Sequence, residues 1–249
     1  MVGWILPALI VAAWQAAASL GWIPDAVMPS PSAVIVAAWR LTLSGELPQN
    51  LSVSALRALA GLIVGGGVGL TLGLANGLSR LSFGVTDTAV QMIRNVPHLA
   101  LIPLVIVWFG IDEGAKLFLV ALGVFFPIYV NTLHGVRSVD PLLVEMADSY
   151  GFRGWPLFQR VILPGALPSI FVGLRFALGV MWLTLIVAET IAAQSGIGYM
   201  AMQARELMQT DVVVLSILLY ALLGKGADSL VKVLERWRLA WHPAFQATA

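Results

Sequence analysis

Residues 140–164, DPLLVEMADSYGFRGWPLFQRVILP, form a charged, amphipathic segment in a chain whose other stretches are mostly apolar runs of membrane length. Hydrocarbon does not tolerate such a segment unless protein or water surrounds it, because its polar groups would be left without partners. We therefore expect residues 140–164, called the island below, to lie outside the bilayer. The pattern predicts two short helices joined by a glycine-containing hinge, a shape that another protein can bind.

Local signals in the island support this interpretation. Asp140 is suited to cap the first short helix, because its side chain can accept a hydrogen bond from a free backbone N–H. Gly151 can adopt the left-handed conformation that a tight reversal needs. The second amphipathic piece covers residues 155–163. We expect it to end at the prolines that follow, Pro164 and Pro168, before the next apolar run.

Composition identifies the class of protein. The chain has 249 residues, of which 59% are hydrophobic and 11% are charged, whereas a soluble domain has about 25% charged residues. The net charge of +1 provides no basic patch that would favour nucleic acid. Since there is no cysteine, disulfides, thiolate catalysis and cysteine-ligated metal sites are excluded. The sequence therefore predicts an integral membrane protein with no nucleic-acid partner.

Apolar runs long enough for a membrane helix, which needs about 20 residues, occur in six places. They are residues 4–22, 53–78, 85–110, 116–136, 168–190 and 212–234. The predicted fold is all-α, a polytopic membrane bundle of about six transmembrane helices in a single domain, 1–249. We interpret the first run as a retained span and not as a signal peptide, because no basic residues precede it.

Small residues recur along the second run at four-residue spacing, and such a stripe predicts close approach of a neighbouring helix in lipid. The glycines of this run are Gly61, Gly65, Gly66, Gly67, Gly69, Gly73 and Gly77.

Orientation follows from lysine and arginine in the short loops, which are more frequent on the cytoplasmic side. One side carries Arg80, Arg137, Arg153, Arg160, Lys232, Arg236 and Arg238, and the other carries Arg40, Lys116 and Arg205. This bias predicts that the island and the C-terminus are cytoplasmic. With six spans, the N-terminus is then cytoplasmic as well.

The island resembles the coupling loop of ABC importer permeases, whose pattern is EAA, three residues, G, nine residues, I-x-LP. Here the pattern reads Glu145-Met146-Ala147, three residues, Gly151, nine residues, Val161-Ile162-Leu163-Pro164. Methionine replaces the first alanine and valine replaces isoleucine, and both keep apolar character. The resemblance extends to the nitrate/sulfonate/taurine branch of these permeases, and within that branch the sequence is most similar to aliphatic sulfonate importer permeases. The segments that carry this resemblance are MPSPSAV, QMIRNVPHLALIPLVIVWFGIDE, VILPGALPSIFVGLRFALG and SGIGYMAM.

The resemblance implies a half-transporter with the type I ABC importer permease fold in the bacterial cytoplasmic membrane. Two copies would form a homodimer, surrounded by lipid, that carries an aliphatic sulfonate by alternating access, or taurine, nitrate or another small anion. Two separate ATPase subunits would bind the island, and an extracytoplasmic binding protein would deliver the ligand. The docking residues would be Glu145, Met146, Ala147, Gly151, Val161, Leu163 and Pro164.

The resemblance also implies that this chain binds no cofactor itself, since ATP and magnesium would be held by the ATPase subunits. The residues agree independently, because the chain contains no phosphate-binding loop. The nearest glycine-lysine pair, Gly224-Lys225-Gly226, has glycine where the loop requires serine or threonine. We therefore expect that this chain does not hydrolyse ATP.

Polar residues within spans are functional candidates, because placing them in a membrane is unfavourable. The densest set is Gln91, Arg94, Asn95 and His98, which would share one face of a continuous helix. Arg94 is suited to bind a sulfonate oxygen through a charge-assisted hydrogen bond. Alternatively, Arg94 binds helix carbonyls or pairs with Glu189 and holds the bundle together.

A second candidate set lies at the end of the fifth run and comprises Trp182, Thr184, Glu189 and Thr190. A carboxylate near the outer mouth would repel a sulfonate. We therefore expect Glu189 to pair with a cation or to take part in a gate. Lys225 and Asp228 are three residues apart, and we expect them to form an intrahelical pair.

Two other classes of function are weaker interpretations of this sequence. An intramembrane enzyme would need metal ligands or a paired nucleophile and base, yet neither H-E-x-x-H nor G-x-S-x-G occurs and the three histidines are far apart. No metal site is predicted. A self-sufficient secondary transporter is disfavoured by the lack of an internal repeat and by the presence of the island.

Overall fold

The computed structural model describes residues 5–241, and within this range every regular element is helical. In chain order the elements are α1 (Ile5–Ser19), α2 (Pro31–Leu43), α3 (Glu46–Leu78), α4 (Arg80–Arg94), a 3₁₀ turn (His98–Leu101), α5 (Ile102–Phe109), α6 (Glu113–Arg137), α7 (Pro141–Ser149), α8 (Trp155–Leu157), a π turn (Phe158–Ile162), α9 (Leu163–Ala192), α10 (Ile197–Glu206) and α11 (Thr210–Arg238). The predicted all-α class is confirmed.

Four helices in the described range are long and apolar enough to cross a membrane, namely α3, α6, α11 and the helix that covers Trp155–Ile191. The bent pair of Arg80–Arg94 and His98–Phe109 adds a fifth if it counts as one span. The first predicted span appears as α1, which has 15 residues. The predicted start of that span, Trp4, lies outside the described residues.

The third predicted span is broken in its middle. Helix α4 ends at Arg94, and the helical segment that resumes at His98 is bent from it by 81°. Pro97 causes the break, since proline donates no backbone N–H and disfavours helical geometry in the residue before it. The prediction that Gln91, Arg94, Asn95 and His98 share one face of a continuous helix is therefore wrong.

The glycine stripe of α3 packs against α6, as predicted. A Cβ atom added at Gly69 would lie 2.6 Å from the carbonyl oxygen of Phe125, and one added at Gly73 would lie 2.9 Å from the carbonyl oxygen of Tyr129. Such distances are too short for any side chain, so only glycine allows the two helices to approach this closely. Gly67 lies on another face, where a Cβ atom would meet nothing within 4 Å.

Contacts divide the described residues into two compact units, residues 5–56 with 185–223 and residues 57–184 with 224–241. In the first unit α1 packs against α2. In the second unit an apolar core surrounds Val90, Phe126, Tyr129 and Leu133. The single domain inferred from the sequence stays a prediction.

A buried amide fastens α3 to its neighbours in the second unit. Asn76 is fully buried, and its side-chain nitrogen donates to the hydroxyls of Tyr129 and Thr86, each at 2.8 Å. Its side-chain oxygen accepts from the hydroxyl of Ser82 at 2.5 Å. Side chains of α4 and α6 thus satisfy the hydrogen-bonding groups of the amide, and these bonds hold α3 against both helices.

Substitution of Gly69 by alanine tests the α3–α6 contact. Because the added methyl group meets a backbone carbonyl that cannot rotate away, we expect Gly69→Ala to destabilise the protein by about 1–3 kcal/mol. Gly67→Ala adds the same group in open space and serves as the matched control. The melting temperature in detergent should fall for the first variant only, and equal melting temperatures would contradict the packing described here.

Candidate functional site

The first half of the island is a short helix with a defined beginning. The side-chain oxygen of Asp140 accepts a hydrogen bond from the backbone N–H of Leu142 at 2.9 Å, and Pro141 occupies the first helical position. This confirms the predicted cap, in which Asp140 satisfies an N–H that has no partner within the helix. Helix α7 packs against α8 and the π turn.

The hinge of the island is a tight reversal fixed by two backbone hydrogen bonds. The N–H of Phe152 donates to the carbonyl of Ala147 at 3.0 Å, and the N–H of Gly151 donates to the carbonyl of Asp148 at 2.9 Å. This pair of bonds is the Schellman motif, and its central residue, Gly151, has the expected φ of 83°. A Cβ atom added at Gly151 would meet nothing within 4 Å, so glycine is required here by its conformation and not by close packing.

An ion pair spans the same reversal. The guanidinium Nε of Arg153 donates to a carboxylate oxygen of Asp148 at 2.6 Å. The hydrogen bond from Arg153 holds the pKa of Asp148 below its usual value, so the pair stays ionised at neutral pH. Both side chains are exposed, and an exposed pair contributes little to stability. The backbone geometry therefore defines the reversal more than this pair does.

The second half of the island is the beginning of a membrane helix. Residues 155–191 form one helical run of 37 residues, about 55 Å long. The prediction that Pro164 and Pro168 end the second piece is wrong. The preceding π turn, in which the N–H of Leu163 bonds to the carbonyl of Phe158, widens the backbone just before Pro164, so the ring is accommodated.

Packing on α6 explains why the helix also continues through Pro168. Gly135 of α6 lies against this part of α9, since a Cβ atom there would be 2.9 Å from the carbonyl of Ala166 and 2.8 Å from the Cβ of Ser169. Ala166 is completely buried. Proline removes a helical hydrogen bond, but tertiary contacts on both sides of Pro168 hold the backbone in place.

The island presents an apolar surface. Leu142 and Met146 of α7 and Tyr150, which caps the end of α7, follow one another at four-residue spacing, with exposures of 71%, 53% and 78%. Beside this stripe is a groove of about 710 Å³ lined by residues from both halves of the island, by the start of α9 and by Trp241. Of the predicted docking residues, Met146, Ala147, Val161 and Pro164 line the groove; Glu145 is exposed and Leu163 is half-buried.

The predicted pathway residues flank the break between α4 and α5 and have different partners. The side-chain amide of Gln91 donates to Asp87 at 3.3 Å, and Asn95 is the C-cap of α4. His98 Nε2 lies 2.9 Å from the hydroxyl of Thr184. Arg94 is exposed and faces a groove on α6 and α9. Thr184, predicted as a gate residue, therefore contacts the first set.

Glu189 is the centre of a buried polar network in the first unit. Its carboxylate accepts hydrogen bonds from the hydroxyl of Ser54 at 2.8 and 2.9 Å, from the hydroxyl of Tyr220 at 2.8 Å and from the backbone N–H of Gly198 at 2.9 Å. The N–H of Ile197 in turn donates to Ser54 at 2.8 Å. Each of these donors is neutral. The network binds the start of α10 to α3, α9 and α11.

The remaining gate candidates have local contacts. The hydroxyl of Thr190 donates to the carbonyl of Val187 at 2.9 Å. Trp182 is half-buried in the second unit, near Gly224, where an added Cβ atom would lie 3.6 Å from its ring. Neither observation assigns a function to these two residues.

Of two clusters of charged residues, one was not recognised in the sequence and the other was recognised only in its Lys225–Asp228 pair. In one, the exposed Glu113 accepts hydrogen bonds from the buried Arg57 at 2.5 Å and the buried Lys116 at 3.0 Å. The i,i+3 spacing of Glu113 and Lys116 was a usable signal. Metal-ligand clusters of three or more His, Cys, Asp or Glu side chains do not occur among residues 5–241.

The other cluster joins α9 to α11. Arg175 donates to Asp228 at 3.0 Å and lies 3.7 Å from Glu235. The predicted pair of Lys225 and Asp228 is present at 4.0 Å, but Lys232 is closer to the same carboxylate, at 2.7 Å. Arg175 has no local signal in the sequence, because its partner is on another helix.

Comparison with known proteins assigns the family. The family model described as binding-protein-dependent transport system inner membrane component matches residues 61–239, which include the island. The chain belongs to this family. It is therefore a multi-pass inner-membrane component of a transport system that depends on a binding protein.

Curated relatives match this transport component over almost their whole length. It is 64% identical to SsuC of Escherichia coli strain K12, provisionally named an aliphatic sulfonates transport permease, over 97% of this chain and 92% of the relative. A Bacillus subtilis strain 168 protein with the same provisional name is 44% identical over 99% and 89%. The taurine transport system permease protein TauC of Escherichia coli strain K12 is 36% identical over 96% and 89%.

Substitutions at Gly151 test the reversal of the island. A β-branched residue is strained by about 1–2 kcal/mol at positive φ, whereas asparagine tolerates this conformation. We expect Gly151→Val to increase amide hydrogen exchange in residues 147–153 and Gly151→Asn to leave it nearly unchanged. Gly84→Val, at a helical glycine in open space, is the control. Equal exchange in the two Gly151 variants would show that positive φ is not required.

Proposed function

We propose that this chain is the membrane-spanning subunit of an ATP-driven importer of aliphatic sulfonates. Two copies form the pathway, two ATPase subunits bind the island from the cytoplasm, and an extracytoplasmic binding protein delivers the substrate. The observation that carries the proposal is the island, whose exposed apolar stripe lies on the short helix directly before a membrane helix. The names of the relatives that are 64% and 44% identical support the substrate.

The ATPase subunit is expected to cover the apolar stripe of α7. Exposed apolar residues at four-residue spacing are a recognition surface for a groove in another protein, and charged Glu145 lies on the rim of this stripe. Ala147 is buried and Gly151 defines the reversal, so these two residues hold the surface in shape. Val161, Leu163 and Pro164 belong to the helix that receives the force.

Transport then follows from alternating access. ATP draws the two ATPase subunits together, the islands move with them, and the attached helices tilt, which closes the cytoplasmic mouth and opens the outer one. Hydrolysis resets the inward-facing state. ATP shifts this equilibrium only as far as it stabilises the closed arrangement more than the open one. The orientation required is that of the positive-inside bias, with the island and both termini in the cytoplasm.

The polar residues of the spans divide into two roles in this proposal. Arg94 contacts the anion, while Gln91, Asn95 and His98 fix the break beside it through Asp87, the end of α4 and Thr184. Glu189 belongs to an outer gate, because its neutral donors fasten the start of α10. Thr190 is assigned to the same gate, because it directly follows Glu189 on α9.

Taurine is the second candidate substrate. It is favoured by the 36% identity to the taurine permease of Escherichia coli. Taurine carries the same sulfonate group together with an ammonium group, so the two candidates differ in whether a positive charge is present on the alkyl chain. Competition between ethanesulfonate and taurine for uptake distinguishes them.

Uptake by cells that express the whole transporter tests the function. Cells should accumulate radiolabelled ethanesulfonate. This uptake should stop when ATP is depleted and continue when the proton gradient is collapsed. Met146→Lys should reduce uptake and co-purification of the ATPase by about tenfold or more, because a buried, unpaired charge costs several kcal/mol.

Gln159→Lys adds the same charge at an exposed position of the island outside the groove. Its uptake should stay within about twofold of the wild type, since exposed substitutions have small effects. Uptake driven by the proton gradient and independent of ATP would contradict the importer. Normal uptake by Met146→Lys would contradict this docking surface.

Removal of the Arg94 side chain tests its contact with the anion. A charge-assisted hydrogen bond contributes about 1.5–3 kcal/mol, so Arg94→Ala should lower sulfonate uptake by about tenfold or more while the ATPase still co-purifies. Arg80→Ala removes an exposed arginine from the opposite end of α4 and should transport normally. Wild-type uptake by Arg94→Ala would remove Arg94 from the pathway.

A further inference from the structure

A groove of about 340 Å³ lies where the end of α4 meets α6 and α9, within the second unit. Phe126 and Val130 form its wall on α6, and Val172 and Phe176 form its wall on α9. Each pair is four residues apart, so both walls run along a helix axis. The groove has the size of a small-ligand site.

The floor of the groove is a close helix crossing. A Cβ atom at Gly173 would lie 2.6 Å from the Cβ of Asn131 and 2.9 Å from the carbonyl oxygen of Pro127. The side-chain nitrogen of Asn131 donates to that same carbonyl at 2.8 Å. This bond uses one of the two amide hydrogens, and the other is available to a ligand.

Arg94 gives the groove its charge. Within residues 5–241 no carboxylate lies within 4.0 Å of its guanidinium, and no acidic residue is among those that line the groove. The adjacent groove shares Val172 and Phe176 but contains Arg175 with Asp228, which are joined at 3.0 Å. An anion is therefore attracted to Arg94, whereas Arg175 is already neutralised.

We propose that this groove is a transport subsite that binds the sulfonate group at Arg94 and Asn131 and the alkyl chain along the walls of α6 and α9. This inference rests on the proposed function and adds how the membrane subunit distinguishes substrates. A guanidinium matches the oxygens of a sulfonate as it matches those of a phosphate. The apolar walls match a tail that an inorganic anion lacks, so alkanesulfonates are held better than nitrate or sulfate.

The size of the expected discrimination follows from burial of the tail. Each methylene group moved from water into an apolar site contributes a factor of about four. Phe176 is 69% exposed at the mouth of the groove, so its truncation removes a wall without opening a cavity in the core. Truncation of Phe176 should therefore slow uptake of sulfonates with long alkyl chains and leave uptake of those with short chains nearly unchanged.

The experiment measures uptake rates for ethanesulfonate, butanesulfonate and hexanesulfonate at substrate concentrations well below saturation, where the rate reports affinity, in cells with the complete transporter. The binding protein is the same in every strain, so its own preference cancels when each variant is divided by the wild type. Phe176→Ala should lower the hexanesulfonate-to-ethanesulfonate rate ratio by about fourfold or more. Val172→Phe should do the same by filling the groove, and Arg94→Ala should depress all three substrates.

Leu183→Ala is the matched control, because Leu183 is an exposed apolar residue on the same face of α9 outside the groove. It should leave the rate ratio unchanged. Variants at Phe176 and Val172 that slow all three sulfonates equally would overturn the subsite and leave the proposed function standing. A wild-type transporter that takes up none of the three would overturn both.

Discussion

Hydrocarbon offers a polypeptide no hydrogen-bond partner, and the remaining features of this chain depend on that constraint. Regular backbone is confined to helices throughout residues 5–241, and the irregular backbone at Asn95–Pro97 interrupts a candidate span. A break at membrane depth is tolerated only where protein surrounds it or water reaches it. The polar side chains of Gln91, Arg94 and His98 beside this break therefore favour a position on the transport pathway.

The same constraint divides the charged residues of the spans into those that have a structural partner and those that are functional candidates. Arg57 and Lys116 share Glu113, and Arg175 shares Asp228 and Glu235. Glu189 is surrounded by hydroxyl and amide donors. Each of these groups has the partner that burial requires. Arg94 differs, since within the described residues it faces a groove with no acid, and a charged group without a structural partner is a functional candidate.

Sequence patterns predicted those features of the structure that depend on residue types close together in the chain. The cap at Asp140, the reversal at Gly151 and the glycine stripe of α3 depend on residue types at fixed local spacing, and each is present. The behaviour of proline was not predictable in this way. Pro97 breaks its helix while Pro168 does not, because Gly135 allows α6 to pack around Pro168. Partners distant in sequence, such as Ser54 and Tyr220 for Glu189, leave no local signal either.

The geometry of the island limits how force can pass into the membrane. The reversal itself is held by two backbone hydrogen bonds and an exposed ion pair, and an exposed pair contributes less than about 1 kcal/mol. A shift of a two-state equilibrium from 1:99 to 99:1 requires about 5.5 kcal/mol, so a partner that pulled on α7 alone would deform the reversal. The larger groove contains Met146 from α7 together with Val161 and Pro164 from the helix that follows. In the proposed mechanism, a partner seated there contacts both sides of the hinge and transmits the load directly into the 37-residue helix instead of through Gly151.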